Sequence, residues 1–454
     1  MIDHVELRAG IYRDSVTLML LTRTLSQDSE ISDPIVAMAT TLNMELAKTA
    51  GYEFPEGSGG ELLIAFRAEE EVISRCVQLI DDLLNRSRQS TVADETLNHR
   101  PRSLGRLATD SQSDVALISV PGEHAAYQAV EAIEAGTHPV IFSDNVAIKN
   151  ELSLKKQARE LGLLVMGPDC GTVILDGVGL GFANVIPAGP IGLISASGTG
   201  AQQVLALCDH AGAGVRHVLG LGGRDLTDEI GGISAQMGLA MLDDDPTVEV
   251  IGIVAKEVGP ATRLLLEDAA SKLSKPVVWV PAGDLTNGTA QLLELASFEL
   301  PPAPIWGPAI ERPNGSGRLV GLFSGGTLAV EAQAIAQASG CEAEIVDLGA
   351  DEYTVGRPHP MIDNTLRLER LAEVSRDETV GTVLVDVVLG HGASPDPAAE
   401  LKDALGDISV PIFVSLIGTN GDPQNFDSQV NQLTQAGAEV HLSNASATRA
   451  AVIR

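Results

Sequence analysis

The sequence predicts an α/β protein: three consecutive doubly wound units with parallel sheets, preceded by a small α+β module. Three observations carry that reading. From residue 115 onward, apolar runs of strand length alternate with amphipathic runs of helix length. The alternation restarts after Pro187-Ala188-Gly189-Pro190, and again after a bridge holding Pro301, Pro302, Pro304 and Pro308. Finally, apolar strands run repeatedly into Gly/Ser turns, where small residues permit the tight bend from strand to helix. With 454 residues the chain has room for three or four domains, at roughly 100–200 residues each.

The elements follow in order. Residues 1–85 alternate as strand 3–12, helix 15–27, strand 34–40, helix 41–50, strand 61–67 and helix 69–85. Units of this size predict a ferredoxin-like sandwich, and no chemistry is visible in it. Residues 86–103 are polar and lack periodicity, which predicts a linker. The next domain, 106–187, reads as strands 115–120, 139–143 and 163–166 with helices 123–135 and 151–161. Domain 188–300 follows with strands 191–195, 215–220, 250–254 and 276–280, joined by helices 199–212, 231–242 and 260–272. Domain 317–454 has strands 318–323, 343–347, 382–388, 411–416 and 438–442, with helices 327–338, 396–405 and 424–436.

Charge and composition narrow the function. A formal net charge of −31, spread along the chain, argues against nucleic acid or an anionic membrane as partner. No apolar run approaches the roughly 20 residues of a membrane span, and the first residues lack a signal-peptide pattern. A cytoplasmic protein is expected. Cys76, Cys170, Cys208 and Cys341 are scattered without a CxxC pair, so neither a metal site nor a disulfide framework is predicted.

The chemistry concentrates in the turns. Gly192-Leu193-Ile194-Ser195-Ala196-Ser197-Gly198-Thr199-Gly200 and Gly321-Leu322-Phe323-Ser324-Gly325-Gly326-Thr327 share a lead-in of Gly, Leu, an apolar residue and Ser. Both place small residues at a helix N-terminus, where backbone N–H groups and the helix dipole favour an anion. Ser197, Gly198, Thr199, Gly200, Ser324, Gly325, Gly326 and Thr327 are therefore the expected phosphate-binding residues, the two turns converging on one ligand. Neither turn is a P-loop or a dinucleotide fingerprint.

Other candidates lie at the carboxyl ends of strands, where parallel sheets bind ligands. Gly222, Gly223 and Arg224 are candidates for substrate binding, the Arg by a bidentate pair with an anion. Lys256 and Glu257 open on the same sheet edge as candidate catalytic groups. The loop from Gly349 to Asp363 supplies Arg357 for the substrate and His359 for catalysis, the ring aimed by the flanking Pro358 and Pro360. His391, in a Gly-rich turn, is a further catalytic candidate, and Asn420 a further substrate contact.

The run from Ser119-Val120 past Gly167-Pro168-Asp169-Cys170 to Ser195–Thr199 resembles the α subunit of succinyl-CoA synthetase. Residues 318–454 resemble the C-terminal ligase domain of that enzyme's β subunit. Closer still is the resemblance to the FdrA family of acyl-CoA synthetase-like proteins. Gly220–Leu226, Gly231-Gly232-Ile233-Ser234-Ala235, Tyr353–Asp363 and Asp386-Val387-Val388 carry it, and it covers nearly the whole chain. It implies a Rossmann-like, CoA-binding-like domain over 106–187, followed by two flavodoxin-like domains of the succinyl-CoA ligase type.

Three departures from the synthetase matter. Its phosphorylated His follows the strand equivalent to 276–280, but here Pro281-Ala282-Gly283-Asp284 stands in that place. A similar string, Asp209-His210-Ala211-Gly212-Ala213, sits instead at the end of a predicted helix, so His210 reads as a decoy. The CoA-gripping loop has no counterpart before residue 115, and no ATP-grasp domain is present.

Both departures and family then point to an acyl phosphate without ATP or CoA. The FdrA resemblance implies a subunit of an oxamate carbamoyltransferase of allantoin breakdown, exchanging oxalurate and phosphate for oxamate and carbamoyl phosphate. Phosphate is then a substrate, no cofactor is required, and other protein subunits or further copies of the chain are the expected partners. The alternatives are an acyl-CoA synthetase that borrows its nucleotide domain from a partner, and a noncatalytic subunit.

Overall fold

The computed structural model describes residues 2–13, 15–26, 28, 30–54, 60–89, 101, 103–310, 317–354 and 357–452. They form two compact units, residues 1–103 with 354–358, and residues 104–353 with 359–454.

In the first unit, strands Ile2–Arg8 and Ser32–Met38 flank Leu62–Ala68 in an antiparallel sheet. Successive side chains of the central strand point to opposite faces, and both faces are covered. Ile64 and Phe66 meet Leu18, Leu21 and Leu25 of helix Ser15–Ser26 and Ile80 of helix Glu70–Gln89. Leu63 and Ala65 meet Ala47 of helix Thr41–Thr49 on the other side, with Tyr52. That double burial is why the sequence reads Leu-Leu-Ile-Ala-Phe without alternation. Helix Glu70–Gln89 runs past the expected end at 85, and residues 90–100 and 102 of the expected linker lie outside the described residues.

The second unit begins with a small parallel pair, Val115–Ile118 beside His138–Ile141, packed under helices Gly122–Glu134 and Ile148–Glu160. The strand expected over 163–166 shrinks to one bridge between Val140 and Met166. Gly167-Pro168 follows at once, and proline has no N–H with which to extend a ladder. Next comes a hairpin the periodicity does not predict, Thr172–Leu175 with Val178–Gly181. Its turn, Asp176-Gly177, has φ of 50° and 78°, the two positive angles of a type I′ connection.

That hairpin joins the edge of the second sheet, whose remaining order is Val277–Pro281, Val250–Ala255, Ile191–Ser195, Val215–Gly220, all parallel. The third sheet is ordered Glu439–His441, Ile412–Ile417, Val380–Val388, Arg318–Phe323, Ala343–Asp347, also parallel. A short antiparallel strand, Ile305–Trp306, closes its edge. All residues of Val380–Val388 are buried, as expected for the centre of a parallel sheet.

One core runs through both large sheets. The element that joins them is helix Gly198–His210, buried continuously from Gly200 to Cys208. A helix apolar all round belongs between layers rather than on a surface. Its two glutamines do not break that pattern, because each finds a carbonyl of the third-sheet domain. Gln202 donates to Leu389 O at 3.0 Å and Gln203 to Leu442 O at 3.2 Å.

A candidate anion site at paired helix N-termini

The two Gly/Ser turns meet. Ser197 Oγ lies 2.5 Å from Thr327 Oγ1, a buried hydroxyl–hydroxyl hydrogen bond across 130 residues of sequence. A methyl built on Gly200 would stand 3.0 Å from Thr327 Cγ2, and one on Gly325 would stand 2.7 Å from Thr199 Oγ1. Glycine at both places is what lets the helix ends approach.

Each turn is braced from beneath. Ser197 caps its own helix by accepting from Gly200 N at 2.9 Å. Ser195 Oγ donates to Ser197 O at 2.6 Å and accepts from Ser197 N at 3.1 Å. The second turn is held by a buried carboxylate. Asp386 accepts from Ser324 N (2.8 Å), Ser324 Oγ (2.9 Å) and Gly325 N (2.8 Å). Arg367 completes the arrangement, with Nη2 2.7 Å from Asp386 Oδ1 and Nη1 2.6 Å from Asp386 O.

This corrects part of the expected phosphate set. Ser324 and Gly325 spend their N–H groups on Asp386, which occupies the place an external anion would take at that step of the turn. Gly198, Thr199, Gly326 and Thr327 differ: their N–H groups meet no acceptor among the described residues outside their own helices. Gly198, Thr199 and Gly326 are also only half-buried. Four donors from two helix ends therefore remain for a ligand.

Lys256 joins this place, and so does His359 at its border. A methyl on Gly326 would lie 2.5 Å from Lys256 Nζ, with the Asp347 carboxylate also at hand. A methyl on Gly349 would lie 2.7 Å from His359 Nε2, 2.5 Å from Ser324 O and 3.3 Å from Asp347 Oδ1. Burial pushes the His359 ring down to about 4, against the opposing pull of the Asp386 carboxylate and with a small addition from Arg367.

The remaining candidates have these surroundings. Glu257 is exposed beside Lys256. Gly222 has φ +76° and packs its Cα onto Pro168, a close approach that a side chain would prevent; Gly223 is exposed. Arg224 donates to Val146 O at 2.8 Å and lies 2.9 Å from Glu151 Oε2. Glu151 in turn pairs with Lys155, which also meets Asp225 at 2.8 Å, so Arg224 borders a buried ionic lock. His391 is exposed, its N–H bound to Ala183 O. Asn420 lines an acidic surface hollow with Asp422 and Asp427. Arg357 is exposed and belongs to the other unit, while Val355 and Gly356 beside it lie outside the described residues. His210 is the last residue of its helix, 12 positions from Gly198, about 18 Å along the axis.

Asp386, Arg367 and Asp347 are the site residues missed from sequence. A visible signal existed for the first: a lone carboxylate within the otherwise uncharged strand Val-Gly-Thr-Val-Leu-Val-Asp-Val-Val.

Comparison with known proteins agrees with this architecture. Residues 322–454 match a CoA-ligase family model, and residues 188–297 match a succinyl-CoA ligase like flavodoxin domain. Residues 1–100 match a model described as AllF, heavy metal-associated domain. Across the whole chain, the protein YahF of Escherichia coli (strain K12) is 30% identical, with 95% of each chain covered.

The chain belongs to the FdrA family.

Other relatives share only parts of this FdrA chain. Subunit alpha 2 of an ADP-forming succinate–CoA ligase from Archaeoglobus fulgidus is 26% identical over 40% of the chain, which spans 63% of that subunit. The apo form of a dinucleotide forming acetyl-coenzyme A synthetase 1 from Ca. Korarchaeum cryptofilum is 20% identical, with a TM-score of 0.33, over 75% of this chain and 82% of that one. Despite the name of the N-terminal model, no group of His, Cys, Asp or Glu among the described residues could hold a metal ion. No described helix is long and apolar enough to cross a membrane.

Proposed function

We propose that this chain handles an acyl phosphate in a reaction of the acyl-CoA synthetase superfamily, with the phosphoryl group held between the Gly198 and Gly326 helix ends. The observation that carries the reading is the Ser197–Thr327 contact, which turns two weak anion sites into one with four backbone donors. A leaving or attacking phosphate gathers charge on its oxygens as the acyl C–O bond breaks or forms. Fixed N–H groups and two helix dipoles stabilise that charge without reorganising. Lys256 adds a cation at the second helix end.

The acceptor defines the reaction. Relatives named as subunits of CoA ligases support transfer of the acyl group to the thiol of CoA, with nucleotide chemistry supplied by a partner subunit. The thiolate then attacks the acyl carbon and inorganic phosphate leaves into the paired turns. A second reading, phosphorolysis of oxalurate to oxamate and carbamoyl phosphate, is favoured by the AllF match at residues 1–100. There phosphate is the nucleophile and the oxamate nitrogen leaves with a proton.

Titration with inorganic phosphate, followed calorimetrically, tests the shared core of both readings. Binding should vanish when Gly198 and Gly326 are both replaced by Pro, since proline removes the donor at each helix start. Phosphate binding unaffected by that change sinks the proposal. Assaying the chain with its partner subunits then separates the two acceptors: thioester formation needs CoA, whereas carbamoyl phosphate appears without CoA or ATP.

A further inference from the structure

His359 has a second nitrogen whose partner decides how the first can act. Its Nδ1 lies 3.2 Å from the backbone N of Met361. A peptide N–H can only donate, so Nδ1 must carry the lone pair, and the proton of the neutral ring sits on Nε2. An imidazolium would set two N–H groups against each other at that contact. The surroundings agree with a neutral ring. The Phe182 ring stands 6.0 Å away, and the charges facing His359 are Asp386 and Arg367, already paired with each other at 2.7 Å. Asp347 is the remaining charged group near Gly349.

Among the described residues the Met361 contact at Nδ1 is the ring's one hydrogen bond, which leaves Nε2 for a ligand. It points where Gly349 has no side chain, beside Ser324 at the start of the second turn. His359 is half-buried, so this N–H is still within reach of a ligand, and a ligand oxygen at that place would give it an acceptor.

We propose that His359 serves the site as a neutral hydrogen-bond donor, its Nε2–H directed at an oxygen of the bound phosphoryl or acyl group. It is neither the phosphoryl-accepting nucleophile nor the proton carrier. Nucleophilic attack by Nε2 would require moving the proton to Nδ1 and breaking the Met361 contact. The proposal rests on the acyl-phosphate reading for its ligand, but the tautomer is a property of the chain alone.

Long-range 1H–15N correlation on the full, 15N-labelled chain tests it, with the His359 signals assigned by their loss in His359→Gln. At pH 7 the ring should show a protonated Nε2 and an unprotonated Nδ1, with no titration between pH 6 and 8. Saturating inorganic phosphate should shift the Nε2 proton resonance. His359→Gln keeps an N–H donor of similar reach and should hold phosphate within about threefold of the parent, whereas His359→Ala should lose about tenfold. A proton on Nδ1, a charged ring at pH 7, a phosphorylated ring, or equal losses for Gln and Ala would overturn the proposal. Phosphate binding with no shift at Nε2 would also overturn it. A parent chain that binds no phosphate, with the tautomer as stated, would instead refute the acyl-phosphate reading, and with it the ligand this donor serves.

Discussion

Ser197 carries two jobs on one oxygen: it caps its own helix and reaches across to Thr327. Ser197→Ala should therefore lose a cap, costing about 1 kcal/mol, and weaken phosphate binding as well. Thr327→Val keeps the cap and removes only the bridge, so its effect on stability should be smaller. Because the two hydroxyls share one hydrogen bond, the double variant should be less damaged than the two single losses added together, by about 0.5–1.5 kcal/mol in urea unfolding. Strict additivity would mean that the bridge contributes nothing. His359 gives a pH-dependent counterpart. Its folded value is depressed to about 4 from an ordinary 6.5, so the unfolded chain binds the proton more readily. Stability linked to this ring is thus complete above pH 6.5 and is lost as pH falls towards 4, to a limit of about 3 kcal/mol. His359→Gln should flatten that part of the acid limb relative to the parent, while leaving the carboxylate-driven part at lower pH.

At the scale of elements, the Asp386–Arg367 pair is the support beneath the second turn, and its two members are unequal. Asp386→Asn leaves the buried Arg367 charge without its counterion, a loss of about 3–5 kcal/mol by the usual cost of breaking such a pair. Arg367→Met leaves Asp386 with Ser324 N, Ser324 Oγ and Gly325 N still donating, and should cost less, about 1–3 kcal/mol. Denaturant midpoints for the two variants check the order; the reverse would mean that the turn rather than the charge balance sets the penalty. The elements themselves differ in how far sequence reveals them. Strand Val380–Val388 and helix Pro397–Gly406, with Asp396 capping and Pro397 at its first turn, are written plainly in apolar runs and end signals. The hairpin around Asp176-Gly177 carried its own signal as well, but its strands are short and lie inside an expected βα alternation that hid them. Helix Thr365–Val374, which brings Arg367 under the turn, follows a long irregular loop without a clean capping pattern. The meeting of the two Gly/Ser turns was inferable from their shared lead-in. That Asp386 would consume half of one turn was not, because strand register and neighbouring helices decide it.

At the scale of the second unit, helix Gly198–His210 belongs to both large sheets at once. Its amides from Val204 to Cys208 are sealed by side chains of each, so they should exchange with solvent only when both sheets part. Hydrogen exchange should rank them with the amides of Val383 and Leu384, at the slow limit set by global unfolding. Faster exchange there would mean that the sheets separate as independent folding units. The same feature bears on assembly. Succinyl-CoA synthetase, which this chain resembles, distributes the counterparts of these two halves over separate polypeptides, where joining them depends on how much of each is present. Here a single covalent chain supplies both Ser197 and Thr327, so their encounter is set by a fixed effective concentration rather than by dilution. The phosphate grip should accordingly have the same strength at nanomolar as at micromolar protein. On the proposed reading, any concentration dependence of the complete reaction would instead report the arrival of a partner subunit or a second copy of the chain.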